Sequence, residues 1–498
     1  MAYMNNFTYT QRYSEITDMA VRDLISGIDK NGMEIINNIR GFSEKSAALC
    51  RYLRQTFRSG KFGMYKGEIY FFTGRIYEQC PTFVFRDIVS RFLDGLGVSA
   101  AIIMKYGDNR FYREAYYGVC YNALQPSFHL MAFRNCVVDM RTLRKYPFDH
   151  RLHCVYLHDY DFDMNAECPT WKRFLKRVLP DNASRQILQM YLSLGLVDRN
   201  NSEMKVENCL CCYGTGSNGK SVVFETICGL FGRENVGMAS LESILCRKGD
   251  ESLRAAASVD GKRFLYCSEV GRNVDIGDNG SMFKRFVSGE PMQGRLLKQN
   301  EYTVYNIPYL VMNLNSRVTT SDCSNAILRR FIELDFPVTI SDDEKDLGLV
   351  GKIAEEYSGV MAWLVRGMQN FKASGYRFPE SKTTQLNKFK TIAKNDSLYA
   401  WVQLKKMRIG TGKYEKGNWF KCADLYANYI EFCEENALND MTIMMFGRRM
   451  QRMGFERRKQ GGIVFYVIYG DVDLNYVPMV NKKDCYDLPA VEVVEEVY

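Results

Sequence analysis

The spacing of apolar and polar residues changes along the chain, and each change marks an element. The first sixty residues read as helical and mixed in charge. The stretch "YKGEIYFFTGRIYEQC" (Tyr65–Cys80) alternates apolar and polar around a Gly turn, which predicts paired strands. From about Phe83 to Asp163 the pattern is mixed α+β. "CPTWKRFLKRVL" then places Trp171, Phe174, Leu175 and Val178 on one helical face. "DNASRQILQMYLSLGLV" reads as a second helix, so a helical pair precedes a Gly-rich stretch. From residue 206 to about 375 short apolar strands alternate with helices, an α/β pattern. "GYRFPESKTTQLNKFK" reads as a connector. Residues 395–470 form a small basic unit of helix, turn and helix, with a two-strand wing around "RRKQGG". The stretch after Asp471 ends "DLPAVEVVEEVY", an acidic tail expected to be mobile. The predicted segments are therefore 1–60, 61–165, 166–205, 206–375, 376–394, 395–470 and 471–498.

Composition narrows the reading only modestly. A chain of 498 residues is too long for one small core and suggests two to four domains. Its 16 cysteines are scattered, "MAYMNNFTYTQ" carries no signal-peptide pattern, and no long apolar run is free of charge. These features predict a cytoplasmic protein with free thiols and no membrane partner. A net charge of +8 permits a nucleic-acid partner without requiring one. His150, His153 and His158, with Cys154 and Cys168, fit no common zinc spacing. No metal other than Mg²⁺ is expected.

The chemistry concentrates in "CLCCYGTGSNGKSVVFETICGLFG". Gly214, Thr215, Gly216, Ser217, Asn218, Gly219, Lys220 and Ser221 satisfy G-x-x-x-x-G-K-[ST] between a strand-like and a helix-like segment. Glycines there let backbone N–H groups wrap phosphates at a helix N-terminus. Lys220 suits the β- and γ-phosphates of ATP, and Ser221 suits Mg²⁺. Kinases and GTPases share this loop, so later strands must specify the reaction. The apolar strand Phe264–Cys267 is followed by Ser268 and Glu269, a carboxylate suited to polarising water and holding metal. "YLVMNLNSR" brings Asn315 to a strand end, where an amide could position that water or simply make a turn. In "AILRRFIELDF", Arg329 and Arg330 are candidates for an arginine finger, with an ordinary surface role expected for one of them.

Two basic regions point to nucleic acid. A helix over Met282–Val287 and strands over Gln293–Leu297 and Tyr302–Tyr305 would form a hairpin tipped by "KQNE". Lys284, Arg285, Arg295 and Lys298 lie on or beside it and suit the phosphates of a single strand. In the C-terminal unit Arg448, Arg449, Arg452, Arg457, Arg458 and Lys459 cluster on the second helix and wing. That arrangement suits DNA phosphates, or else a soluble face of a protein-docking winged helix.

Taken in order, these motifs resemble a superfamily 3 helicase of the AAA+ class, and more closely the poxvirus-type and phage/plasmid primase-helicase family. "GTGSNGKS", "GKRFLYCSE", "FKRFVSGEPMQGRLLKQ", "ILRRF" and "ADLYANYIEFCEENALNDMTIMMFGRRMQRMGF" carry the resemblance. "NCVVDMRTLRKYPFDHRLHCVYLHDYDFDMNAECPTWKRFL" resembles the region upstream of that family's core. Ser268 stands where the family often has a second acid, and "MNLN" replaces its Thr-Asn, so Asn315 is preferred to Asn313. The resemblance implies an α/β AAA+ P-loop ATPase core, an N-terminal α+β region, a helical collar and a C-terminal winged helix. It implies a viral or phage ring, a hexamer, hydrolysing ATP at subunit interfaces and moving on single-stranded and forked DNA in the host cytoplasm. No primase-type acidic triad precedes the matched region, so the primase is expected on a separate chain. A DNA-binding initiator or loader is the alternative. A packaging motor or RNA helicase remains open.

Overall fold

The alternation in Tyr65–Cys80 folds as antiparallel strands, one more than a simple pair. The computed structural model describes residues 2–28, 30, 42–199, 204–241, 243, 249–267, 276, 280–297, 300–318, 325–410 and 417–480. It is a mixed α/β chain dividing into two compact units, Met1–Phe162 and Asp163–Tyr498. The first unit begins with α1 (Ala2–Ser26) and α2 (Phe42–Thr56), followed by β1 (Phe62–Tyr65), β2 (Glu68–Phe72) and β3 (Tyr77–Gln79). β1 and β2 join through Lys66 and Gly67, both at positive φ (50° and 83°), with Tyr65 opposite Glu68. A two-residue turn of that hand matches strand twist. Helices α3 (Thr82–Gly95), α4 (Ala100–Tyr106) and α5 (Tyr112–Cys120) follow.

The sequence divides 1–60 from 61–165, but Ile16, Ala20 and Leu24 of α1 and Leu53 of α2 share one core with Phe62, Phe85, Ile88, Phe92 and Val119. The helical start is thus one wall of that core. Strands β4 (Leu130–Phe133), β5 (Val137–Asp139), β6 (Arg144–Tyr146) and β7 (Leu157–His158) make a second sheet, ordered β6-β5-β4-β7.

The second unit opens with α6 (Pro169–Val178) and α7 (Asn182–Ser193). Trp171, Phe174, Leu175 and Val178 are buried as the period predicts. The centre is a parallel sheet of β8 (Cys209–Tyr213), β9 (Val236–Met238), β10 (Phe264–Cys267), β13 (Tyr309–Leu314) and β14 (Phe331–Asp335). Its order is β14-β8-β13-β10-β9. Helices α8 (Lys220–Phe231), α9 (Gly249–Ser258) and α10 (Gly280–Ser288) alternate with the strands, and β11 (Met292–Gly294) pairs with β12 (Tyr302–Val304). The five residues of β8 are all buried, as expected for a strand inside a covered parallel sheet. The hydroxyl of Tyr191 on α7 donates to Leu310 O at 2.7 Å and ties that helix to the sheet.

After α11 (Asn325–Leu328), α12 (Leu349–Ala354) and α13 (Tyr357–Ala373), the segment expected to be a connector is instead mostly helix α14 (Lys382–Asn395). Ser381 caps it in a reciprocal pair with Thr384. Phe389, Ile392 and Ala393 are buried. The polar surface of this stretch concealed an apolar face that only neighbouring elements fill. The chain ends with α15 (Ser397–Leu404), β15 (Asn418–Lys421), α16 (Cys422–Glu435), α17 (Ile443–Arg452), β16 (Glu456–Gln460) and β17 (Ile463–Ile468). The sheet order is β15-β17-β16, around a core of Trp401, Tyr429, Phe446 and Tyr466.

The expected mobile tail also needs correcting. Residues 471–480 are fastened to this unit: Lys405 Nζ donates to Asp473 O at 2.6 Å and Asn436 Oδ1 accepts from Val480 N at 2.8 Å. The Lys405 ammonium is buried, which pushes its pKa down to about 8. Residues 481–498 lie outside the described residues.

Candidate functional site: the carboxyl edge of the parallel sheet

The Gly-rich loop leaves the buried end of β8 and enters α8 at Lys220. Gly216, Ser217 and Gly219 take positive φ of 110°, 46° and 86°. From Ser217 through Asn218 to Gly219 the backbone alternates in hand, which turns successive N–H groups to one side, a geometry that suits an anion. Gly219 has a second constraint: a Cβ there would lie 2.8 Å from Val178 Cγ1 and 2.9 Å from Phe174 Cε2. Helix α6 therefore presses directly under the loop. From the other side Ile340 N donates to Ser217 O at 2.7 Å.

Lys220 is 8 % exposed, and burial lowers the pKa of its ammonium. Its Nζ donates to Gly214 O at 2.6 Å and Asn218 Oδ1 at 3.0 Å. An ammonium has three donors, so two bonds aim the group while leaving one N–H to spend. Asn218 is also buried, and its Nδ2 has no hydrogen-bond partner among the described residues. Thr215, Gly216, Ser217 and Ser221 are exposed. This donor-rich loop could take a phosphate, and the exposed Ser221 hydroxyl could ligate Mg²⁺.

The neighbouring strand places the amide. β13 lies between β8 and β10, with Leu314 opposite Tyr213 and Met312 opposite Cys267. Gly214 N donates to Leu314 O at 3.1 Å. Asn315 is the next residue and is exposed at that edge, about 5 Å across from the start of the Gly-rich loop by strand spacing. Asn313, by contrast, donates its side-chain amide to Tyr266 OH within the sheet. Ser268 and Glu269 lie outside the described residues.

Sequence reasoning missed Arg317. Its guanidinium donates to Glu333 Oε2 at 2.6 Å and to Asp335 Oδ1, and lies 4.1 Å from the centre of the Tyr213 ring. Tyr213 immediately precedes the Gly-rich loop, so this cluster braces its base. Lys390 of α14 reaches Asp335 at 3.3 Å. The available signal was the alternation in "FIELDF", which puts Glu333 and Asp335 on one face of a strand. Burial pushes the Glu333 carboxyl up to about 7, even with Arg317 beside it. The native state therefore holds an extra proton between the ordinary glutamate value of 4.5 and about 7. Stability from this group is lost as pH rises through that window. Glu333→Gln should remove that slope: the melting temperatures of mutant and wild type should shift in the mutant's favour by a few degrees from pH 5 to pH 8. A pH-independent difference would contradict the protonation assignment.

The two arginines separate clearly. The Arg330 side chain is 9 % exposed and Arg329 is 60 % exposed. Arg330 donates to Ser288 Oγ at 3.1 Å and Glu207 Oε2 at 3.3 Å. Arg329 is only 3.9 Å from the same carboxylate.

The basic hairpin is real but shorter than its predicted strands, and its cations are partly engaged. Arg295 binds Asp250 of α9, while Arg285 donates to Pro291 O at 3.1 Å and faces Glu290 at 3.6 Å. Lys284 is half-buried on α10. Lys298 lies outside the described residues. In the C-terminal unit Arg448, Arg452, Arg457 and Lys459 are exposed. Arg449 is tied to Asp396, and Arg458 bonds Glu456 at 2.7 Å and lies 4.8 Å from the Trp419 ring centre. The first turn of α17 exposes Ile443, Met444 and Met445. Among the described residues no cluster of three metal-ligating side chains occurs, and no helix is long and apolar enough to cross a membrane.

Comparison with known proteins adds two regional matches. Residues 122–180 match a family model described as "D5 N terminal like", and residues 212–330 match one described as "Family of unknown function (DUF5906)". The first overlaps the upstream phrase singled out in the sequence, and the second runs from the end of β8 to Arg330. The chain is also similar to a solved structure described as "The A form apo structure of NrS-1 C terminal region-CTR", at 12 % identity and a TM-score of 0.48. That alignment covers 84 % of this chain and 98 % of the other. A structure described as "The apo structure of NrS-1 C terminal region (305-718)" is 11 % identical with a TM-score of 0.45, covering 84 % and 99 %. Neither likeness assigns a role to any residue.

Proposed function

We propose that this chain is an ATP-driven replicative DNA helicase of the superfamily 3, AAA+ type. The observation that carries the reading is the aimed Lys220 ammonium at the carboxyl edge of the parallel sheet, with Asn315 exposed just past the adjoining strand. The strand order supports it. β8 is flanked by β13 and β14 rather than by β9, and ligands bind where an open α/β sheet reverses its winding. Lys220 holds the β- and γ-phosphates of ATP, and Ser221 with Glu269 holds Mg²⁺. Bound Mg²⁺ supplies neutralisation of phosphate charge. Glu269 polarises the attacking water, Asn315 orients it, and Arg329 reaches the nucleotide of the next subunit in a hexameric ring. Arg330, buried at the end of its own sheet, braces that turn.

The helix, strand, helix, helix and hairpin order of the C-terminal unit supports a winged-helix reading. Its exposed arginines suit phosphates, and α17 begins with an apolar turn rather than base-reading polar groups. The reading includes the viral or phage setting, which the "D5 N terminal like" match to the upstream region supports.

Strand separation on a forked DNA with ATP tests the proposal. Wild type should separate the strands, and Lys298→Ala should hydrolyse ATP without separating them. A wild-type protein that binds DNA and hydrolyses ATP yet separates nothing is an initiator or loader instead.

A further inference from the structure

The first unit carries an aromatic and basic surface that the ATPase reading leaves unused. Helices α2 and α5 run side by side, and Gly118 lets them touch: a Cβ there would lie 2.5 Å from Arg54 O. That close approach brings side chains of the two elements into rungs. Arg54 sits 5.4 Å from the ring centre of Tyr117, and its carboxylate partner is Glu114 at 2.6 Å. One turn further on, Arg58 sits 4.5 Å from the ring centre of Tyr121. Arg113 continues the same face of α5 one turn earlier, and it is exposed. Tyr116, Tyr117 and Tyr121 are 40 %, 43 % and 60 % exposed. Three tyrosines within six residues therefore show ring surface to water, two of them stacked with guanidinium groups. Isolated exposed rings are ordinary, but a run of them interleaved with arginines is not.

We propose that this Arg–Tyr face binds single-stranded nucleic acid, with bases stacking on Tyr117 and Tyr121 while Arg54, Arg58 and Arg113 face the phosphates. Base faces are available only when strands are apart, so the surface selects single strands over duplex. Stacking tolerates any base, which suits a motor or loader that meets every sequence. The charge sign agrees: Arg54, Arg58 and Arg113 stand against Glu114, which is already bound to Arg54, and Glu68 near Tyr116. The proposal does not rest on ATP hydrolysis and is tested without nucleotide.

The measurement is fluorescence anisotropy of a labelled twenty-nucleotide oligo(dT) with the full chain. It is made in an Arg452→Ala, Arg457→Ala, Lys298→Ala background so that other basic surfaces do not mask the result. Tyr117→Leu with Tyr121→Leu should weaken binding about tenfold or more, whereas Tyr117→Phe with Tyr121→Phe should leave it unchanged. Arg58→Ala should lower the slope of log affinity against log salt by about one. The binding of a duplex of equal length should not respond to the leucine changes. Both tyrosines are on the surface, so the variants should melt like wild type. Unchanged oligo(dT) affinity in the leucine variant overturns the proposal. So does a leucine variant that alters self-association or melting alone, which would make the face a protein contact.

Discussion

Lys220→Ala should lower ATP turnover at least about a hundredfold and leave the melting temperature nearly unchanged. The first half follows from what the ammonium does. It is buried, held by Gly214 O and Asn218 Oδ1, and so points without reorganisation at whatever enters the loop. Removing one preorganised charge from such a site costs about two to three orders of magnitude in rate. The second half follows from compensation. The mutant leaves two acceptors unsatisfied but no longer buries an ammonium, whose desolvation opposes folding. Phosphate release and thermal melting, measured on the same preparation, check both. Normal turnover would remove the phosphate-loop assignment. If turnover and fold are lost together, Lys220→Arg, which keeps charge and volume, decides whether the charge or the geometry was needed.

Arg329→Ala should be the other large effect, about a thousandfold or more in turnover of the assembled protein. The side chain is exposed and only loosely drawn to Glu207, so it is available to a neighbouring subunit. If it acts across an interface, mixing Arg329→Ala with Glu269→Gln subunits should restore activity, because some interfaces then combine an intact arginine with an intact base. Absence of rescue would place its role within its own subunit. Arg330→Ala should behave differently. Losing its bonds to Ser288 and Glu207 should cost stability, about 1–3 kcal/mol, seen as a lower denaturation midpoint. Adjacent arginines thus separate by readout: rate for one, stability for the other.

Much of the fold was legible because the relevant signals are local. The helix of Trp171, Phe174, Leu175 and Val178 follows from the spacing of four side chains. The Gly-rich turn between β8 and α8 follows from residues that must take positive φ or approach another element closely, and Gly219 does both. Other features were misread where the decisive contacts are distant. α14 looked like a connector because its exposed residues dominate the sequence, although Phe389 and Ile392 are buried. Residues 471–480 looked like loose tail because the carbonyls that receive Lys405 carry no side-chain signature.

By itself, the sequence determined the alternation of strands and helices, the Gly-Lys-Ser loop and the basic character of the C-terminal unit. These are set by backbone propensity, hydrophobic period and residue charge, all readable within a few positions. Only the tertiary structure decided which arginine is buried, which asparagine stands at the sheet edge, and that Arg317 braces the loop through Tyr213, Glu333 and Asp335. Only it put Arg54 and Arg58 under the rings of Tyr117 and Tyr121, far away along the chain. Those facts depend on strand register and on how closely two helices approach. Such quantities are fixed by the packing of the whole core, and no short stretch of sequence encodes them.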